Sequence, residues 1–213
     1  MPRDLKIFLV RHGQTAGSRE GRFCGTLDLP LDEKGRAMAE ALGDYYARWP
    51  WAGLYASPLL RTRETAAPLV RRTGLELQLD AGLREIEYGA WEGLLEAEVR
   101  ARTPDAFEAW LSDPGRVAPP GGETGLAIAV RALAALERIR AAHPDGGEVL
   151  IVSHKATLRI LACSLLGIDV SLFRARLAQP AGSMTVFELK STGPLLLCLA
   201  DARHLPPELI SET

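Results

Sequence analysis

Residues Phe8–Thr15 read FLVRHGQT, and with Ile7 in front an unbroken apolar run leads straight into Arg11, His12 and Gly13. A short apolar run without alternation suits a strand buried on both faces. Strands usually end on a neutral turn. This one ends on a fixed cation beside a ring that titrates near neutrality. The glycine that follows lets the backbone come close to a neighbour. The pattern predicts that an anionic, reactive ligand sits at the strand exit.

Working outward, EVLIVSH (Glu148–His154) is the clearest buried strand, and it too runs into a histidine. In GLYASPLLRTRETAAPLVRR (Gly53–Arg72) a very short strand precedes a turn at Ser57-Pro58 and a helix, which Pro68 should bend. Between the first strand and Gly53, Met38, Ala41, Leu42, Tyr45, Tyr46 and Trp49 fall on one helical stripe, with Asp32 as N-cap and Pro50 as a stop. Leu75–Leu79 alternates like a strand. Helical pieces follow at Leu94–Arg102 and Asp105–Leu111, and a long amphipathic helix at Thr124–His143. A helix over Thr157–Leu166 closes near Gly167. Two strands, MTVFEL and LLLCL, joined by KSTGP, predict a closing hairpin.

Strands alternating with helices predict an α/β fold, a three-layer α/β/α sandwich with a mostly parallel central sheet. The chain, 1–213, reads as a single domain with a helical insertion at about 94–123 that lids the site. In such sheets ligands gather beyond the carboxyl ends of the strands. Arg11-His12, Ser57 to Arg61, and Ser153-His154 would therefore share one crevice.

Composition narrows the partner. The formal net charge is -2, with 24% charged residues, so no global electrostatics support nucleic-acid binding. No apolar run reaches the ~18 residues of a membrane span, and the first ten residues are too short and mixed for a signal peptide. Cys24, Cys163 and Cys198 are odd in number and lack redox or metal spacing, which points to the cytoplasm. A small phosphorylated metabolite remains compatible, because a local arginine cluster can hold one.

Phosphoryl transfer needs positive charge on the moving oxygens, a nucleophile, and an acid for the leaving oxygen. Arg11 and Arg61 offer guanidinium forks that match phosphate oxygens in pairs. His12 and His154 supply imidazoles, and His154, if protonated, a third cation. Glu85, in LREIEYGAWEG (Leu83–Gly93), supplies a carboxyl group; Glu87 lies on the same face by alternation. Plainer roles suit other residues: Ser57 as cap of the Arg61 helix, Asp28 and Asp32 as caps, Cys24 as loop filler, Trp91 and Trp110 as packing.

Taken together, LVRHGQT, ASPLLRTRETA, LREIEYGAWEG and IVSH resemble the histidine phosphatase superfamily, in its phosphoglycerate-mutase-like branch, from about Ile7 to about Leu205. The resemblance implies a covalent phosphohistidine on His12, a phosphate pocket of Arg11, Arg61 and His154, and a proton donor at Glu85. It implies no metal and no cofactor. Gln14 and Thr15 match residues that line the substrate mouth or support the first motif, and Ser18 stands where the family often has asparagine. His204 matches a histidine near the end of some members, with substrate contact and capping of the last strand as its two candidate roles. Lys155 follows the second histidine, where glycine is frequent.

No paired-arginine segment lies between Glu85 and His154, and Ile86-Glu87 follow the acid. This predicts a wetter, less cationic site and a phosphatase rather than a mutase. The expectation is a metal-independent phosphomonoesterase, that is, a phosphoric monoester hydrolase. The alternatives are a phosphoglycerate mutase and a non-catalytic phosphate-binding or sensing protein. Edge pairing through a strand offers a route to a homodimer.

Overall fold

The computed structural model describes residues 4–210. Its six strands are β1 (Leu5–Arg11), β2 (Trp51–Ala56), β3 (Leu77–Leu79), β4 (Gly147–Ser153), β5 (Met184–Lys190) and β6 (Gly193–Asp201). They form one sheet in the order β3-β2-β4-β1-β5-β6. The β3-β2, β2-β4 and β4-β1 pairs are parallel, and β5 and β6 add an antiparallel edge.

Alternation along β1 explains the layers. Leu5, Ile7 and Leu9 pack with Ile128 and Leu136 of α6 (Gly125–Ala142) and Leu158 and Leu161 of α7 (Lys155–Leu166). Phe8 and Val10 point the other way, toward Leu42 of α2 (Glu33–Tyr46) and Leu69 of α3 (Leu60–Thr73). A strand whose two sets of side chains both find apolar helices has to be apolar along its covered length, and β1 is so from Ile7 to Val10. The three-layer α/β/α arrangement follows.

Asp32 caps α2 as expected, through Gly35 N–H at 2.8 Å. The α2 stripe is narrower than the sequence suggests: Met38, Leu42 and Tyr46 are buried, whereas Tyr45 and Trp49 are exposed. Ser57 does not cap α3. That role falls to Asp28, whose Oδ1 accepts from Leu60 N–H at 2.6 Å. The β5–β6 hairpin closes tightly, with Lys190 paired to Gly193, whose φ of 120° suits glycine.

The insertion folds into α4 (Glu96–Arg102) and α5 (Pro104–Ser112) around a private aromatic cluster. Trp91 and Trp110 are each 1% exposed there, so both are packing residues. Two short helices escaped the sequence reading: α1 (Ala16–Glu20), just past the first motif, and α8 (Phe173–Arg176), after α7. Both border the site. No helix among the described residues is long and apolar enough to cross a membrane.

Candidate active site

The carboxyl ends of β1, β2 and β4 open onto one cavity of about 650 Å³, lined among others by Arg11, His12, Arg61 and Glu85. Parallel register places them together: Arg11 lies opposite Ser153 in the β1–β4 ladder, and His12 N–H continues it to the Ser153 carbonyl at 3.0 Å.

His12 is buried, and its Nδ1 lies 2.7 Å from the Gly13 carbonyl. A carbonyl only accepts, so Nδ1 carries the proton and Nε2 keeps its lone pair. Burial first, then the charges of Arg61 and Arg11, push the His12 pKa well below its ordinary value. The ring is therefore neutral at pH 7, as a nucleophile must be. The neighbour that Gly13 lets come close is Gly35. A Cβ there would lie 2.5 Å from the Gly35 carbonyl, so the missing side chain admits the start of α2, while Gly13 N–H donates to Thr65 Oγ1 of α3.

His154 lies behind this ring, with centroids 5.2 Å apart, and is fully buried. It does not itself line the cavity. Its Nδ1 accepts from Arg61 Nε at 3.1 Å and its Nε2 meets Ser57 Oγ at 2.8 Å. An imidazole whose Nδ1 accepts from a guanidinium is neutral, and burial with the Arg61 charge pushes its pKa well down. The third cation is thus absent before a ligand binds, and Ser57 orients His154.

The two arginines divide the work unequally. Arg61 commits Nε to His154, Nη1 to the Leu27 carbonyl at 2.8 Å, and Nη2 to the Gly25 and Cys24 carbonyls at 2.9 and 3.4 Å. Little of its fork is left for a paired phosphate grip; it supplies charge and holds the 24–27 loop. Arg11 spends one donor, on the Gln179 carbonyl at 2.8 Å. Its Nε is buried without a partner. Burial lowers its pKa to about 10, so it stays charged at neutrality and is the freer oxyanion fork.

Glu85 is 7% exposed and lines the cavity, whereas Glu87 does not and faces Arg84 at 3.8 Å. The Glu85 carboxylate accepts from Ala156 N–H and Thr157 N–H, both at 3.2 Å, and from Thr157 Oγ1 at 3.2 Å. The start of α7 therefore aims it. Arg131 braces the same loop, donating to the Gly82, Arg84 and Glu85 carbonyls while paired with Glu123 at 2.9 Å.

Other expected contacts divide. Thr15 and Ser18 line the cavity, but their hydroxyls close the capping box of α1: Ser18 N–H donates to Thr15 Oγ1 at 3.1 Å, and Thr15 N–H to Ser18 Oγ at 2.9 Å. Gln14 does not line the cavity; its backbone presses on Gly35. His204 is outside it too. Its Nε2 meets the Gly182 carbonyl at 3.0 Å and its ring sits 5.8 Å from Tyr46, so it packs against the core. Cys24 is a wall residue whose thiol is pushed up by burial and by Glu92, which makes it a poor nucleophile.

The expected lid is also displaced. Of residues 94–123 only Glu96 lines the cavity; the opposite wall is the 173–180 segment, which carries α8. The site is more cationic than the missing insertion arginines suggested, because Lys155, Arg159, Arg174 and Arg176 reach it from α7 and α8. Lys155 and Arg159 are legible as an i, i+4 pair on one helix face. Arg174 and Arg176 lie in a segment with no clear periodicity.

The model of the histidine phosphatase superfamily (branch 1) matches residues 7–202. The chain belongs to that superfamily. Phosphoserine phosphatase 1 of Hydrogenobacter thermophilus is 35% identical over 169 residues, covering 79% of this chain and 80% of its own length. The structure of Bacillus stearothermophilus YhfR superposes with a TM-score of 0.88 at 32% identity, covering 94% of this chain and 98% of that one. A mycobacterial glucosyl-3-phosphoglycerate phosphatase in complex with VO3 gives 0.84 at 31% identity, covering 93% and 100%. The relatives named for an activity here are phosphatases, which fits a phosphoric monoester hydrolase of phosphatase rather than mutase type. Among the described residues, no three His, Cys, Asp or Glu side chains form a group that could hold a metal ion.

Proposed function

We propose that the protein is a metal-independent phosphomonoesterase that hydrolyses a small phosphorylated metabolite through a covalent phosphohistidine on His12. The observation that carries this reading is the tautomer of His12: a neutral ring with Nδ1 held by Gly13 and Nε2 free, beside Arg11 and Arg61. In this mechanism the phosphate docks on the free donors of Arg11. His12 Nε2 attacks phosphorus, and the bond to the leaving oxygen breaks as Glu85 gives that oxygen a proton. Water, deprotonated by Glu85, then cleaves the phosphorus–nitrogen bond and releases phosphate. Arg61 adds its charge to the equatorial oxygens, and His154, itself oriented by Ser57, holds Arg61 in place. Such preorganised donors are each worth about 100- to 1,000-fold in rate.

The cationic wall removes the argument that a less charged site disfavours a mutase; the preference for hydrolysis rests instead on the relatives, which act on phosphoserine and glucosyl-3-phosphoglycerate. The test is a turnover assay with p-nitrophenyl phosphate and a panel of metabolite phosphates, with and without EDTA. Release of inorganic phosphate unchanged by chelator is expected. Conversion of 3-phosphoglycerate to 2-phosphoglycerate without phosphate release would establish the mutase. No turnover of any ester, with phosphate binding retained, would establish a sensing protein.

A further inference from the structure

The cavity has a second cationic face that phosphate chemistry leaves unused. Arg11 and Arg61 sit at its floor; Lys155, Arg159, Arg174 and Arg176 stand along the α7 and α8 walls. Like charges packed together repel unless an anion offsets them. Among the described residues, Lys155, Arg159 and Arg176 have no carboxylate within 4.0 Å, and Arg174 meets only Glu96, at 4.0 Å. Arg159 is fixed in place all the same: it donates to the Arg174 carbonyl and its guanidinium lies 5.6 Å from the Phe173 ring centroid. Its Nε is buried without a partner. Arg174 stacks 4.4 Å from the Trp110 centroid. Loss of hydration, with the charges of Arg11, Arg159 and Arg174, lowers the Lys155 amine to about 8. Arg159 and Arg174 are thus held in place, and they and Lys155 are short of counter-charge.

Their position relative to Glu85 gives them a role. Glu85 is held by the first N–H groups of α7, so the leaving oxygen comes to that helix start. Lys155 is the first residue of α7, and Arg159 stands one turn on, a rise of about 6 Å. The part of the substrate beyond the leaving oxygen extends past this face. We propose that Lys155, Arg159 and Arg174 form a subsite for a second anionic group, carboxylate or phosphate, on the leaving-group side of the substrate. This rests on the phosphatase reading and narrows it to phosphorylated acids and bisphosphates.

Three esters of similar size test the subsite in the wild-type protein: 3-phosphoglycerate, glycerol 3-phosphate and 1,3-propanediol bisphosphate. A kcat/KM at least ~10-fold higher for an ester with a second anion is expected, the scale of one charge-assisted contact. Preference for the first would mark a carboxylate subsite, preference for the third a phosphate subsite. In Arg159→Gln and Lys155→Gln the preference should shrink toward one, and Arg159→Lys should keep part of it. Equal kcat/KM for all three esters in the wild type would overturn the proposal whether or not a variant folds. So would a preference that persists undiminished in both folded glutamine variants. Absence of p-nitrophenyl phosphate turnover would instead sink the phosphatase reading. Calorimetric binding of the same esters would then read the subsite, with equal affinities overturning it.

Discussion

The two neutral histidines make stability depend on pH in a way that can be calculated. His12 and His154 are buried 5.2 Å apart, and burial together with the Arg61 charge depresses both pKa values well below the ordinary one. In the unfolded chain each titrates near about 6.5. The sign follows from linkage: the folded state refuses protons that the unfolded state accepts, so the stability they lend is complete above that value and declines as pH falls toward the folded values. Between about pH 7.5 and about pH 5.5 the two rings together withdraw at most about 3 kcal/mol, the limit reached when neither is protonated in the folded state. The perturbation is the double substitution His12→Asn, His154→Asn, whose amides take no proton in this range. His143 and His204 also have lowered pKa values, but they remain in both proteins and cancel. Urea unfolding at the two pH values should show the wild type losing more stability than the variant, by up to about 3 kcal/mol. Equal losses would mean that the rings are protonated in the folded protein. The tautomer argument for His12 would then fall.

Other consequences follow from the same geometry. Glu85→Gln should slow phosphoenzyme formation from glycerol 3-phosphate in a single turnover by about 100-fold or more, yet spare the first-turnover release of p-nitrophenol from p-nitrophenyl phosphate, whose acidic leaving group needs no proton; equal losses in that first half-reaction would deny Glu85 the acid role. Gly35→Ala places a Cβ 2.0 Å from the Gln14 carbonyl. It should cost about 1–3 kcal/mol in thermal or urea unfolding, and an unchanged midpoint would contradict the close α2 approach. Lys155 loses its charge as pH rises through about 8. KM for 3-phosphoglycerate should therefore climb between neutral and alkaline pH relative to glycerol 3-phosphate, and parallel profiles would count against the second subsite.

Much of this was legible from short stretches. The unbroken apolar runs of β1 and β4 signal strands covered on both faces, and the strand-exit rule brings Arg11, His12, Arg61 and His154 into one neighbourhood. What stayed hidden depends on side-chain geometry in three dimensions. Nothing in RTRET shows that Arg61 spends most of its donors on the 24–27 carbonyls and His154. Ser57 looks like a helix cap until Asp28 takes that place from across the loop. Gln14 and His204 carry polar groups in suggestive positions, yet the cavity lies elsewhere. Arg131 braces the Glu85 loop through three carbonyls, a role with no signature in a helix that reads as plainly amphipathic. The α8 wall is the largest omission, because four helical residues after a 3-10 turn leave no periodicity to read.

The central claim is that His12 Nε2 takes the phosphoryl group. Rapid acid-free quenching of the enzyme with radiolabelled substrate, followed by peptide mapping, tests it directly. The account predicts an acid-labile, alkali-stable label on the peptide containing His12, and none in His12→Ala. A label on another residue, or turnover that survives in His12→Ala, would contradict it.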